Sequence, residues 1–125
     1  MPRTMTRIGR LKRRAEFLAA AAANRKWVAP GLVLQARKDD SDPISTDVRL
    51  GFTASRKVGN AVLRNRARRR LKAAAAEVLR DANVAAKGTD LVLIARPATV
   101  DRDYKALLED FRRGLKKLGV VGAAS

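Results

Sequence analysis

The chain has 125 residues, with 28 Lys or Arg against 12 Asp or Glu, giving a formal charge of +16 with no His and no Cys. That length suits one domain and the charge asks for a polyanionic partner, while the missing residue types exclude disulfides, thiolate zinc sites and imidazole acid–base catalysis. No apolar run approaches the roughly 18 residues of a membrane span, and no aromatic-rich amphipathic helix is available for a lipid surface, so nucleic acid is preferred to membrane.

The amino end, Met1 to Arg14, is basic and leads into Phe17-Leu18-Ala19-Ala20-Ala21-Ala22-Ala23. This apolar part is short, dominated by Ala and followed at once by Arg25-Lys26, which fits a basic amphipathic helix better than a signal peptide. A mitochondrial presequence is the stronger rival, because its signature is also Arg-rich and acid-poor. The composition predicts a first helix over residues 14 to 23, ending before Asn24-Arg25 and the Pro30-Gly31 turn signal. Trp27-Val28 reads as a short strand.

From Gly31 to Arg37 the residues alternate, placing Leu32, Leu34 and Ala36 on one face and Val33, Gln35 and Arg37 on the other. A loop over 38 to 47 holds Asp39, Asp40, Asp42 and Asp47; this is a weak metal signal, and its Asp/Ser/Pro composition favours a solvated turn. A second alternation then points Val48, Leu50, Phe52 and Ala54 inward and Arg49, Gly51, Thr53 and Ser55 outward. The two strands are expected to pair as an antiparallel hairpin.

Gly59-Asn60 opens a helix running to about Ala82, with Asn60 placed to cap it. At ~100° per residue, Leu63, Ala67, Leu71, Ala74 and Val78 form one stripe, and Asn65, Arg66, Arg68, Arg69 and Lys72 spread over the opposite side. Asp90 to Ala95 reads as a strand buried on both faces. A last helix over 103 to 118, with Asp101 and Asp103 as start signals, buries Tyr104, Leu107, Leu108, Phe111, Leu115 and Leu118. Around it stand four acids, Asp101, Asp103, Glu109 and Asp110.

The run from Arg56 to Lys72 places eight cations in seventeen residues without one carboxylate. A solvated helix face would interleave acids for i,i+4 pairs, whereas Val48 through Ala76 holds nine cations and no acid. Guanidinium forks on a rigid helix suit closely spaced phosphates. A ribosomal protein or a groove-binding DNA protein would share this feature. The first would bind rRNA, and the second would retain base preference at high salt.

The stretch Arg56-Lys57-Val58-Gly59-Asn60-Ala61-Val62-Leu63-Arg64-Asn65-Arg66, followed by Arg68-Arg69, resembles the signature of the bacterial ribonuclease P protein subunit. Arg10-Leu11-Lys12 with Phe17, Arg49-Leu50-Gly51-Phe52 and Ala95-Arg96-Pro97 resemble the same family in order, so the resemblance spans residues 7 to 118.

The predicted elements run in the order α-β-β-β-α-β-α, and the resemblance implies a compact α+β domain with a left-handed βαβ crossover, against the usual right-handed preference. It implies one domain over 1–125, with a core at about 7–118 and flexible ends at 1–9 and 119–125. Its activity would be to assist a catalytic RNA in removing the 5′ leader from precursor tRNA. The partners would be ribonuclease P RNA and precursor tRNA, with no protein partner and no membrane, in the cytoplasm. No cofactor would be bound tightly by the protein, and Mg2+ would be required by the ribonucleoprotein, with no catalytic residue on the protein.

By position, Arg64, Asn65, Arg66, Arg68 and Arg69 would contact the catalytic RNA, supported by Arg56, Lys57, Asn60 and Lys72. Phe17, Val33, Gln35, Thr53 and Ser55 would line a cleft for the single-stranded leader, where unpaired bases stack and hydrogen-bond. Many relatives carry a second aromatic where this chain has Ala21, and some have Tyr where it has Gln35. Leader affinity is therefore expected to rely more on cations here, since each stacked base is worth roughly 1–3 kcal/mol.

Overall fold

A computed structural model describes residues 8–10, 14–15, 25–38, 48–81 and 89–118. Its strands are β1 (Ile8–Arg10), β2 (Lys26–Val28), β3 (Leu32–Lys38), β4 (Val48–Thr53) and β5 (Thr89–Ala95). The helices are α1 (Ala61–Asp81) and α2 (Tyr104–Lys117), each preceded by a 3-10 turn, Arg56–Val58 and Pro97–Val100 respectively. The expected first helix lies mostly outside the described residues. Arg14 and Ala15 belong to it, and they are helical. Phe17, the acidic loop residues Asp39, Asp40, Asp42 and Asp47, and the expected tail at 119–125 also lie outside them.

The fold is mixed α+β, with one sheet in the order β1-β4-β5-β3-β2 and both helices packed against it. β5 is central because both of its faces are apolar and buried, with Leu91 and Leu93 on one side and Val92 on the other. Two expectations are overturned here. β3 and β4 do not form a hairpin: β5 inserts between them, antiparallel to β3 and parallel to β4. Alternation in β3 and β4 fixes their faces but not their neighbours, and a doubly buried strand needs a neighbour on each side. Residues 8 and 9 do not belong to a flexible arm either, since Ile8–Arg10 pairs parallel with β4 and covers its edge. The described order therefore begins with a strand.

The inner face carries Leu32, Leu34, Ala36, Leu50, Leu91, Leu93 and Ala95 against Ala67, Leu71, Ala74 and Val78 of α1 and Leu107, Leu108, Phe111 and Leu115 of α2. Leu63, Phe52, Ala54, Tyr104 and Leu118 close its rim as half-buried side chains. The expected stripes on both helices are thus the ones that pack. Asp103 caps α2 by accepting the Ala106 N–H at 3.3 Å.

Two buried carboxylates tie the periphery together. Asp110 accepts from Gly31 N at 2.9 Å and from Arg102 Nε at 2.6 Å and Nη2 at 3.1 Å. Gly31 is required there, because a Cβ would stand 2.6 Å from Asp110 Oδ2 and 2.8 Å from Leu107 Cδ1. Asp90 lies on the outer face, where Arg49 holds both of its oxygens, Nε to Oδ1 at 2.9 Å and Nη2 to Oδ2 at 2.8 Å.

Candidate nucleic-acid interface

The entry to α1 is built by three small devices. Ser55 accepts the Lys57 N–H on its hydroxyl at 3.3 Å and so caps the first 3-10 turn. Gly59 then takes φ of 142°, a conformation that side chains resist, with Leu63 Cδ1 only 2.6 Å from where a Cβ would be. Asn60 accepts the Leu63 N–H at 2.9 Å, satisfying one of the helix's free donors.

From this start, burial of Ala67, Leu71, Ala74 and Val78 orients the opposite face outward. Arg56, Lys57, Asn60, Asn65, Arg66, Arg69 and Lys72 are exposed, while Arg64 and Arg68 are half-buried at its flanks. Arg68 Nη2 donates to Asn65 Oδ1 at 3.0 Å, so one guanidinium is oriented by its neighbour one turn back. Asn65, Arg68, Arg69 and Lys72 line an open hollow of about 430 Å³ with Val62 on its wall, itself 71% exposed.

No carboxylate among the described residues pairs with Arg56, Lys57, Arg64, Arg66, Arg68, Arg69 or Lys72. The first turn of α1 contains no acid, so the positive end of the helix dipole adds to this field. Arg70 departs from the run. Its guanidinium points to the second 3-10 turn, donating from Nη1 to the carbonyls of Thr99 at 2.7 Å and Val100 at 3.0 Å, and from Nη2 to that of Arg102. It is a structural arginine embedded in the basic run.

The outer face of the sheet is a second surface. Strand register sets Val33, Ile94 and Thr53 in one row across β3, β5 and β4, then Gln35, Val92 and Gly51, then Arg37, Asp90 and Arg49. Val33, Gln35 and Thr53 are thus brought together, half-buried, on one face. Ser55 lies just past the end of β4 with its hydroxyl engaged by the Lys57 N–H. Sequence reasoning missed Ile94, which stands between Val33 and Thr53. Its alternation was visible, but its place at the centre of the row depends on the strand order.

Carboxylates do not gather into a metal site among the described residues. Asp90 and Asp110 are both held by arginines, and Glu109 faces Arg112 at 4.0 Å and Arg113 at 3.8 Å. No helix of the described residues is long and apolar enough to cross a membrane.

Comparison with known proteins agrees with this arrangement. A family model described as Ribonuclease P matches residues 5–119. The chain is 54% identical over 118 residues to the ribonuclease P protein component of Gluconacetobacter diazotrophicus, covering 94% of this chain and 97% of that one. It is 50% identical over 116 residues to that of Paramagnetospirillum magneticum, covering 92% and 86%. The fold is similar to the Staphylococcus aureus RNase P protein, with a TM-score of 0.71 at 25% identity over 90% of this chain and 97% of that one. It is also similar to the RNase P protein from Thermotoga maritima, with a TM-score of 0.65 at 25% identity over 83% and 92%. The chain belongs to the ribonuclease P protein component family, the protein part of a ribonucleoprotein endoribonuclease that processes tRNA.

Proposed function

We propose that this protein binds ribonuclease P RNA through the exposed face of α1 and holds the single-stranded 5′ leader of precursor tRNA on the outer face of its sheet, assisting endonucleolytic removal of that leader. The observation that carries this reading is the row of cations from Arg56 to Lys72, all but Arg70 presented outward by a buried stripe and free of carboxylate partners among the described residues. Each phosphate that they neutralise releases counterions, so binding is strongly salt-dependent. Val33, Gln35, Thr53 and Ser55, with Phe17, are the proposed leader contacts, and α1 contributes Arg64, Asn65, Arg66, Arg68, Arg69 and Lys72 together with Arg56, Lys57 and Asn60.

A hard divalent cation needs oxygen ligands free to coordinate it, and the buried carboxylates of the described residues are engaged by arginine. In this reading the Mg2+ that the resemblance implies for the ribonucleoprotein is assigned to the RNA, and the protein's part is positioning and charge. The same reading takes 1–125 as one domain, the β4–α1–β5 crossover as left-handed, and the cytoplasm as the location.

The test is 5′ leader cleavage of a precursor tRNA by a bacterial ribonuclease P RNA at low magnesium, with and without the protein. Rescue that disappears in the Arg64→Ala/Arg66→Ala double variant supports the reading. Tight RNA binding without rescue would replace it by a purely structural RNA-binding role.

A further inference from the structure

We infer that Arg37 is a phosphate contact for the distal part of the leader, oriented at the far end of the sheet groove by the Asp90–Arg49 pair. This rests on the leader-groove reading and adds a residue and a direction to it.

The three rows of the outer face differ in chemistry along the strands. Val33, Ile94 and Thr53 offer an apolar surface with one hydroxyl. Gln35 follows, with Lys26 of β2 as its cross-strand partner on the same face. Arg37, Asp90 and Arg49 form the last row. Successive rows on one face are about 7 Å apart. A single strand laid along β3 thus passes from a surface suited to bases to one suited to phosphate.

Within the last row the two arginines are not equivalent. Asp90 is 1% exposed and both its oxygens are held by Arg49 at 2.9 and 2.8 Å. Arg37 reaches Oδ2 through Nη1 alone at 3.4 Å, a long contact, and its side chain is 33% exposed. Its Nε and Nη2 have no partner among the described residues. Arg37 is directed by Asp90 through that one long contact, and its remaining donors suit a phosphate oxygen pair.

The groove also has a direction. β4 runs from Arg49 to Thr53 and continues through Ser55 into the Arg56–Val58 turn and α1. The Val33–Thr53 row is therefore the end next to the RNA-binding helix, and Arg37 is the end away from it. Leader nucleotides close to the cleavage point meet Thr53, and those further upstream meet Arg37.

The test measures binding of precursor tRNAs to the holoenzyme reconstituted with a bacterial ribonuclease P RNA, using leaders from about two to about eight nucleotides, within the length that single-strand grooves cover. A scan of single neutral methylphosphonate linkages runs in parallel. Affinity is expected to rise with leader length, and Arg37→Gln removes about three- to tenfold of that rise, with Arg37→Lys recovering part of it. One upstream methylphosphonate weakens the wild type by a similar factor and adds nothing in Arg37→Gln.

Equal weakening at every leader length, or a methylphosphonate effect that stays additive with Arg37→Gln, overturns the proposal. The scan on wild-type protein needs no variant, so the absence of a sensitive upstream linkage overturns it even where Arg37→Gln folds poorly. If Val33→Ser and Thr53→Val abolish the length dependence and Arg37→Gln does not, Arg37 alone is wrong. If none of the three alters it, the groove itself is not the leader site.

Discussion

Arg70 Nη1 lies 2.7 Å from the carbonyl oxygen of Thr99, so the last arginine of the basic run faces the protein rather than a ligand. Its neighbour Arg69 is exposed and unpaired among the described residues. Adjacent arginines therefore have opposite assignments. Arg70→Ala leaves the carbonyls of Thr99, Val100 and Arg102 without a charged donor and is expected to cost about 2–3 kcal/mol in urea unfolding. Arg69→Ala is expected to change stability by less than about 0.5 kcal/mol. It should nevertheless weaken RNA binding and lower the salt slope by about one. Equal stability losses in the two variants would refute the distinction.

The Gly31–Asp110 contact joins the start of β3 to α2. Gly31→Ala would push a methyl to 2.6 Å from Asp110 Oδ2 and 2.7 Å from Arg102 Cδ, so either the ion pair or the strand must shift. Asp110→Asn keeps the shape and removes the charge that faces Arg102. Overpacking is expected to cost about 1–3 kcal/mol in the first variant. The second is expected to lose a similar amount, below the full cost of breaking a buried pair because Arg102 retains 28% exposure and reaches water. Thermal melts should show both variants still cooperative with reduced Tm.

Tyr104 is the sole tyrosine, so its ionisation can be followed by tyrosinate absorbance. Burial first, then the nearby Glu77 carboxylate, raises its pKa above the ordinary 10.0, while Arg70 pulls it partly back. A raised folded-state value means that the neutral phenol is favoured by folding. The associated stability is present below the ordinary value and disappears as pH rises through the folded one. Glu77→Gln should lower the titration midpoint and Arg70→Ala should raise it. Unchanged midpoints in both variants would show that burial alone sets it.

The parts of this architecture that were legible in the sequence are those fixed by local periodicity. Leu63, Ala67, Leu71, Ala74 and Val78 declare the buried side of α1, and the direction of Arg66, Arg69 and Lys72 follows from helical geometry. Asn60 and Asp103 announce their caps through residue type and position alone. Strand partners are a different kind of information. Alternation in β3 and β4 is compatible with a hairpin or with an intervening strand, and the hydrophobicity of β5 settles the matter only after its long connection is closed. A three-residue strand such as Ile8–Arg10 is too short to show alternation. The structural role of Arg70, one of the eight cations of the basic run, is not legible in the sequence because the carbonyls that claim it lie 29 and more residues away.

Asn60 separates helix stability from RNA binding. Its carboxamide oxygen accepts the Leu63 N–H at 2.9 Å, and Asn60→Ala is expected to cost about 1 kcal/mol by removing the cap. Asn60→Asp keeps an acceptor of the same shape and adds a negative charge at the positive end of the dipole, close in sequence to Arg56, Lys57 and Arg64. The folded state should therefore be as stable as the wild type or up to about 1 kcal/mol more so. The same carboxylate repels phosphate and shields part of the cationic face, so RNA affinity should fall by about tenfold at low salt, with the difference shrinking as salt rises. Calorimetric Tm and a salt series of RNA-binding constants measured on one preparation are expected to move in opposite directions. A joint loss of stability and affinity would instead make the cap purely structural, with its effect on RNA carried through an unwound first turn of α1.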